Sequence, residues 1–81
     1  MTRRRLTPER RRMLKLLARS RHSVDEELLV HSYGFRRPTI VGLVSAGLAA
    51  AEREVMKAGG ETIEVVRVRI TEAGRRAIDG N

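Results

Sequence analysis

The apolar residues of this chain change period near Leu48, and no single kind of secondary structure accommodates both halves. Before Leu48 they recur every three or four positions: Met13, Leu14, Leu17 and Ala18, with Leu16 beside them, and later Ile40, Val41, Leu43 and Val44. That spacing lines one side of a helix. After Leu48, Val66, Val68 and Ile70 alternate with Val65, Arg67 and Arg69. A period of two carried by β-branched residues is that of a half-buried strand. The chain is therefore expected to be α+β, helices first and a strand pair after them.

Local signals divide the helical half into three. Thr7-Pro8-Glu9 supplies a capping hydroxyl, a proline at the first helical position and an acid in the positive first turn, so a helix should run from Pro8 to about Arg19. Ser23-Val24-Asp25-Glu26 has the form of a capping box and predicts a second helix starting at Val24. This helix would bury Val24, Leu28 and Leu29 and stop at Gly34 in a left-handed conformation. Pro38 can open a third helix to about Ala46, with Gly47 as its stop and Phe35 entering the core just ahead of it. Gly42 lies inside that helix at a cost of about 1 kcal/mol relative to alanine. It either admits another helix or a partner's backbone at close range or is a weak point with no purpose.

In the second half, Ala49 to Met56 should pair antiparallel with Thr62 to Ile70, and Lys57-Ala58-Gly59-Gly60-Glu61 provides the glycines of the connection. Thr71 and Glu72 begin a last short helix burying Ala73, Ala77 and Ile78, and the final three residues should fray. Residues 1–6 read as a basic arm, 7–79 as one domain and 80–81 as a loose end.

Charge is unevenly placed. Residues 1–21 hold nine basic groups against Glu9 alone, a balance of +8 within a total of +7, so the remainder nets minus one. A single-sign field of that density attracts a polyanion, nucleic acid first and anionic lipid second. Leu6 is followed by polar residues and more arginines, so no secretory signal is expected, and no apolar run approaches the roughly 20 residues of a membrane span. With no cysteine, disulfides and thiolate zinc sites are excluded, and a cytoplasmic protein is expected.

The order helix, helix, helix, hairpin, helix resembles the winged helix-turn-helix domains of bacterial and phage regulators, including the multiple-antibiotic-resistance-type repressors. Leu43-Val44-Ser45-Ala46-Gly47-Leu48 is similar to the end of a recognition helix passing into the wing. Gly59-Gly60 is similar to the wing turn, and Ile70-Thr71-Glu72-Ala73-Gly74-Arg75-Arg76 to the segment that closes the wing. The resemblance implies a recognition helix from Pro38 to Ala46, a wing from Val55 to Thr62, and a DNA-binding protein of transcriptional regulation. On that reading Arg36, Arg37, Thr39 and Ser45 approach the major groove of double-stranded DNA, and Lys57 sits at the wing tip. Arg3, Arg4 and Arg5 form an arm over phosphates or in a minor groove. The helix carries few of the long polar side chains that read bases, which keeps a second expectation open: a protein-interaction module on the same scaffold.

Other chemistry finds little support. His22 and His31 are the only histidines and stand at no metal-site spacing, so no metal or cofactor is expected; His31 falls instead in the last turn of helix two. The serines lack a G-x-S-x-G context, and Gly59-Gly60 lacks a phosphate-loop frame, so an enzyme is not expected. Glu52 and Glu54 should face solvent or pair with Arg67 or Arg69 across the hairpin. A chain of 81 residues hides only about 60 to 65% of its extended surface, so the apolar surplus at Leu6, Leu16 and Ile63 points to a homodimer.

Overall fold

A computed structural model describes residues 6–79. Helix α1 spans Pro8–Arg19, strand β1 Val24–Asp25, a π-helix Leu28–Ser32, α2 Arg37–Ser45, β2 Ala49–Ala58, β3 Glu61–Ile70 and α3 Glu72–Asp79. The domain is α+β, and its sheet is antiparallel with strand order β1-β3-β2.

Helix α1 begins and ends where the sequence places it. The Thr7 side chain accepts a hydrogen bond from the Arg10 amide at 3.1 Å, and Pro8 occupies the first turn, where its missing N–H leaves no donor unpaired. Met13, Leu14 and Leu17 are buried.

The expected capping box at Ser23 is not formed. Val24 and Asp25 are strand, paired with Val68 and Arg67 of β3, and the helix that follows starts with Glu26. The reason is non-local: β3 has a second edge, whose backbone groups need partners that β2 cannot supply. The sheet accordingly has three strands rather than the two expected. The widened π turn also decides between adjacent leucines, since Leu29 is fully buried while Leu28 is exposed. Gly34 then reverses the chain at φ +77°, as the sequence predicts.

Helix α2 closes with a glycine motif. The Leu48 amide donates to the Leu43 carbonyl at 2.9 Å and the Gly47 amide to the Val44 carbonyl at 3.0 Å, with Gly47 at φ +77°. Both bonds satisfy carbonyls that the helix end would leave free. The chain enters β2 directly afterwards.

The hairpin is longer and tighter than its sequence implies. Ala49 pairs with Ile70 and the ladder continues to Ala58 opposite Glu61, which leaves Gly59 and Gly60 as the whole loop. Both have positive φ, 58° and 81°, as a type I′ turn demands. Ten residues per strand make an arm of about 34 Å, and the molecule measures 52 × 23 × 22 Å.

Helix α3 docks through Thr71 and Gly74. The Thr71 hydroxyl donates to the Gly47 carbonyl at 2.6 Å, accepts from the Gly74 amide at 3.1 Å, and the Thr71 amide donates to the Leu48 carbonyl at 3.1 Å. Gly74 is buried against that same carbonyl, so it takes the inward place expected for Ala73, which is exposed. Asp79, expected to fray, is helical; Gly80 and Asn81 lie outside the described residues.

One core joins these elements: Met13, Leu14 and Leu17 of α1, Leu29, Phe35, Ile40 and Leu43, and Ala49, Val68 and Ile70 of the sheet. Leu6 and Leu16, part of the expected surplus, pack against this core; Ile63 stays exposed. Among the described residues no helix is long and apolar enough to cross a membrane.

Candidate nucleic-acid interface

The start of α2 is held by a residue of α1. Arg36 is the N-cap residue, extended at φ −88° and ψ 143°, and no side-chain hydrogen bond caps α2 from that position. Its amide donates to Oε2 of Glu9 at 2.8 Å. In a capping box a glutamate on the same helix reaches back to this amide; here the carboxylate comes from 27 residues earlier. The Arg36 amide is the main reason the Glu9 carboxyl is held below its ordinary 4.5. Desolvation opposes the shift, while the Thr39 side chain and the charges of Arg36 and Arg12 add to it.

This junction gathers cations. A surface depression between the first turns of α1 and α2 is lined by Arg10, Arg12, Arg36 and Thr39 around Glu9. The Arg10 guanidinium continues over the middle of α2, where it occupies the space that a side chain at Gly42 would need. The close neighbour that Gly42 admits is thus an arginine head, and neither a helix backbone nor an empty weak point. Arg10 and Arg12 are not among the expected contact residues, and the mid-helix glycine signals a close neighbour without identifying it.

The expected contact residues fall into four groups. Arg36, Arg37 and Ser45 are exposed on α2 or its entrance, and Arg37, Val41 and Ser45 make an outward stripe at intervals of four. Arg37 also lies 3.7 Å from Glu26. Thr39 is half-buried and turned toward Glu9. Lys57 stands apart, near the tip of the hairpin opposite Thr62 and about 27 Å along β2 from its start. Arg3, Arg4 and Arg5 lie outside the described residues.

The hairpin is electrically balanced. Arg53, Lys57, Arg67 and Arg69 meet Glu52, Glu54, Glu61 and Glu64 in equal number. Arg67, on the central strand, donates to Glu54 at 2.9 Å and lies 3.6 Å from Asp25 of β1, so one guanidinium ties all three strands. Arg53 lies 3.9 Å from Glu64. The expected pairing of Glu54 with Arg67 is present, on the diagonal, since Glu52 stands directly opposite Arg67. Beyond the core the arm exposes Val55, Met56 and Ile63.

His31 is in the last turn of its helix as expected, 3.5 Å from Glu27. Comparison of the chain with protein-family models, curated proteins and solved structures finds no match.

Proposed function

We propose that this chain is a winged-helix DNA-binding domain of a cytoplasmic transcriptional regulator, a binding protein and not an enzyme. The observation that carries the reading is the Glu9–Arg36 junction, which joins the entrance of α2 to α1 and gathers Arg10, Arg12 and Arg36 around one depression, with Arg37 exposed next in sequence. Arginines gathered at a helix entrance suit phosphate oxygens. The stripe of Arg37, Val41 and Ser45 then faces the major groove, where Arg37 can reach a guanine edge and Val41 a thymine methyl. The order of helices and hairpin supports this reading.

Fluorescence anisotropy with a labelled random duplex at two salt concentrations tests it. Replacing Arg36 and Arg37 by alanine should lower the slope of log affinity against log salt by up to about 2 if both contact phosphate, at roughly 0.9 per contact. If Arg37 reads a base, the preferred site should lose about 1 to 3 kcal/mol of its advantage over random DNA. Removing Arg3, Arg4 and Arg5 should lower the slope by about 2 to 3 and leave sequence preference intact. Absence of duplex binding by the wild type at about 50 mM salt would overturn the proposal. A second reading, a protein-interaction module, is favoured by two observations: Val41 is 62% exposed at the centre of the α2 stripe, and the neutral hairpin presents Val55, Met56 and Ile63.

A further inference from the structure

On the other flank of the Glu9–Arg36 junction lies a cleft of about 570 Å³ between α1 and the turn Tyr33–Arg36. Small-molecule sites span about 300 to 1,000 Å³. Its α1 wall is one helical stripe, Arg12, Lys15, Leu16 and Arg19, and Arg36 closes the opposite side. Leu16 and Phe35 give it an apolar floor. Glu9 is the one acid lining it, and that carboxylate is engaged with the Arg36 amide. Among the described residues Arg12, Lys15, Arg19 and Arg36 make no ion pair.

The remaining wall is Tyr33, a residue 53% exposed. It is held in place despite that exposure. Its ring stacks on Phe35 at a centroid distance of 6.3 Å and an interplanar angle of 29°. Phe35 is itself buried, and its amide donates to the Leu29 carbonyl at 2.9 Å. One face of an ordered aromatic ring therefore remains available beside four cations. Cations select phosphate, and the free ring face selects a flat aromatic partner.

We propose that this cleft binds a nucleotide with an unpaired base, the base stacked on Tyr33 and the phosphate held among Arg12, Lys15, Arg19 and Arg36. A paired base in a duplex has both faces covered by its neighbours, so this cleft takes a different ligand from the contact made by α2, although Arg12 and Arg36 line both. The nucleotide has two sources, a free mononucleotide or one unit of a flexible single strand, and both present the same base and phosphate.

Tyr33 is the only tyrosine of the chain, so its ring resonances report on the cleft without ambiguity. The full chain is titrated at about 50 mM salt with adenosine monophosphate, a ten-residue deoxyadenosine strand, ribose 5-phosphate and inorganic phosphate, with the Tyr33 ring protons followed by NMR. The expected result is a saturable upfield shift with the mononucleotide, the strand or both, and none with the two base-free phosphates. A shift with the mononucleotide identifies the free ligand as sufficient; a shift with the strand alone assigns the site to a polymer. Tyr33→Leu, titrated through the amide resonances of Lys15, Arg19 and Phe35, should weaken binding of the responding ligand by about 5- to 100-fold, as loss of one stacked base does. The pair Lys15→Glu and Arg19→Glu should weaken it at least about tenfold. No upfield shift with either nucleotide at about 1 mM, an equal response to ribose 5-phosphate, or undiminished binding by Tyr33→Leu would overturn the proposal. A duplex titration read at the amides of Arg37 and Val41 is independent of this outcome, so failure of the cleft and failure of duplex binding are separately visible.

Discussion

Replacing Gly42 and Gly74 by alanine, one at a time, should move stability in opposite directions although both glycines lie inside helices. Each substitution gains about 1 kcal/mol of helix propensity. At Gly42 the atoms nearest the new methyl are those of the Arg10 guanidinium, the far end of a flexible side chain that can swing into solvent. The net change should be a stabilisation of about 0.5 to 1 kcal/mol. At Gly74 the methyl meets the Leu48 carbonyl and the Ile70 side chain. Neither yields easily, because that carbonyl is fixed by the Thr71 amide at 3.1 Å and the adjacent Gly47 carbonyl by the Thr71 hydroxyl at 2.6 Å. Overpacking of this kind costs about 1 to 3 kcal/mol, and parting Thr71 from Leu48 adds about 1 kcal/mol. After the propensity gain, Gly74→Ala should destabilise by about 1 to 3 kcal/mol. For a domain of this size 1 kcal/mol moves Tm by about 4 to 8 °C. Thermal unfolding followed by circular dichroism should place Gly42→Ala a few degrees above the wild type and Gly74→Ala at least about 4 °C below it. A Gly74→Ala protein as stable as the wild type would refute the reasoning, since it would mean that the junction of α3 with Leu48 is not close-packed. Gly42→Ala has a second readout: by displacing Arg10 from α2 it should weaken duplex binding while raising Tm.

Because the folded pKa of Glu9 lies below 4.5, the unfolded chain binds more protons between the two values; the contribution of Glu9 is complete above about pH 4.5 and is lost as pH falls through the folded pKa. Glu9→Gln keeps an acceptor for the Arg36 amide but does not titrate, so its Tm should fall less steeply than that of the wild type below pH 4.5, and parallel curves would rule out the linkage. Arg67→Ala removes the guanidinium that joins Glu54 and Asp25; a loss of about 1 kcal/mol is expected, with faster hydrogen exchange at Val24 and Asp25, and unchanged exchange would dismiss the tie. Met56 and Ile63 stand directly opposite each other on the arm, and an isolated two-stranded hairpin is at best marginal in water. We propose that a second copy covers them, so sedimentation equilibrium at high micromolar concentration should give twice 9.1 kDa, and Ile63→Lys should give 9.1 kDa; a wild type at 9.1 kDa would exclude the dimer.

Where a signal is local, the sequence was a sufficient guide. Thr7 and Pro8 set the start of α1, Gly34 and Gly47 end helices at positive φ, and Gly59-Gly60 closes the hairpin, each through the backbone preference of one or two residues. The differences arise where a distant partner or an irregular helical step outweighs such a preference. Ser23 to Glu26 has the composition of a capping box, but Val24 and Asp25 are worth more to the open edge of β3 than to the first turn of a helix. Leu28 and Leu29 cannot be told apart by spacing, because the π turn that turns Leu29 inward departs from the usual helical step. Ala73 and Gly74 exchange places for a similar reason: the inward position lies against a carbonyl and has no room for a methyl group.

The same distinction explains how much of the candidate site could be read in advance. Arg36, Arg37 and Ser45 are recognisable because they flank a proline that opens a helix, but nothing adjacent in sequence ties Arg10 or Arg12 to them. Glu9 makes that connection. As a first-turn acid it has a sufficient local role against the dipole of α1, and only the fold shows the same carboxylate capping α2. One charge thus joins two helix entrances and has a cation group on each side, Arg10, Arg12 and Arg36 on one flank and Arg12, Lys15, Arg19 and Arg36 on the other. Arg12 and Arg36 belong to both, so a polyanion seated along α2 and a nucleotide beside Tyr33 would draw on the same two guanidinium groups. Occupation of either site therefore lowers the positive potential at the other, and the two ligands should compete at low salt without touching.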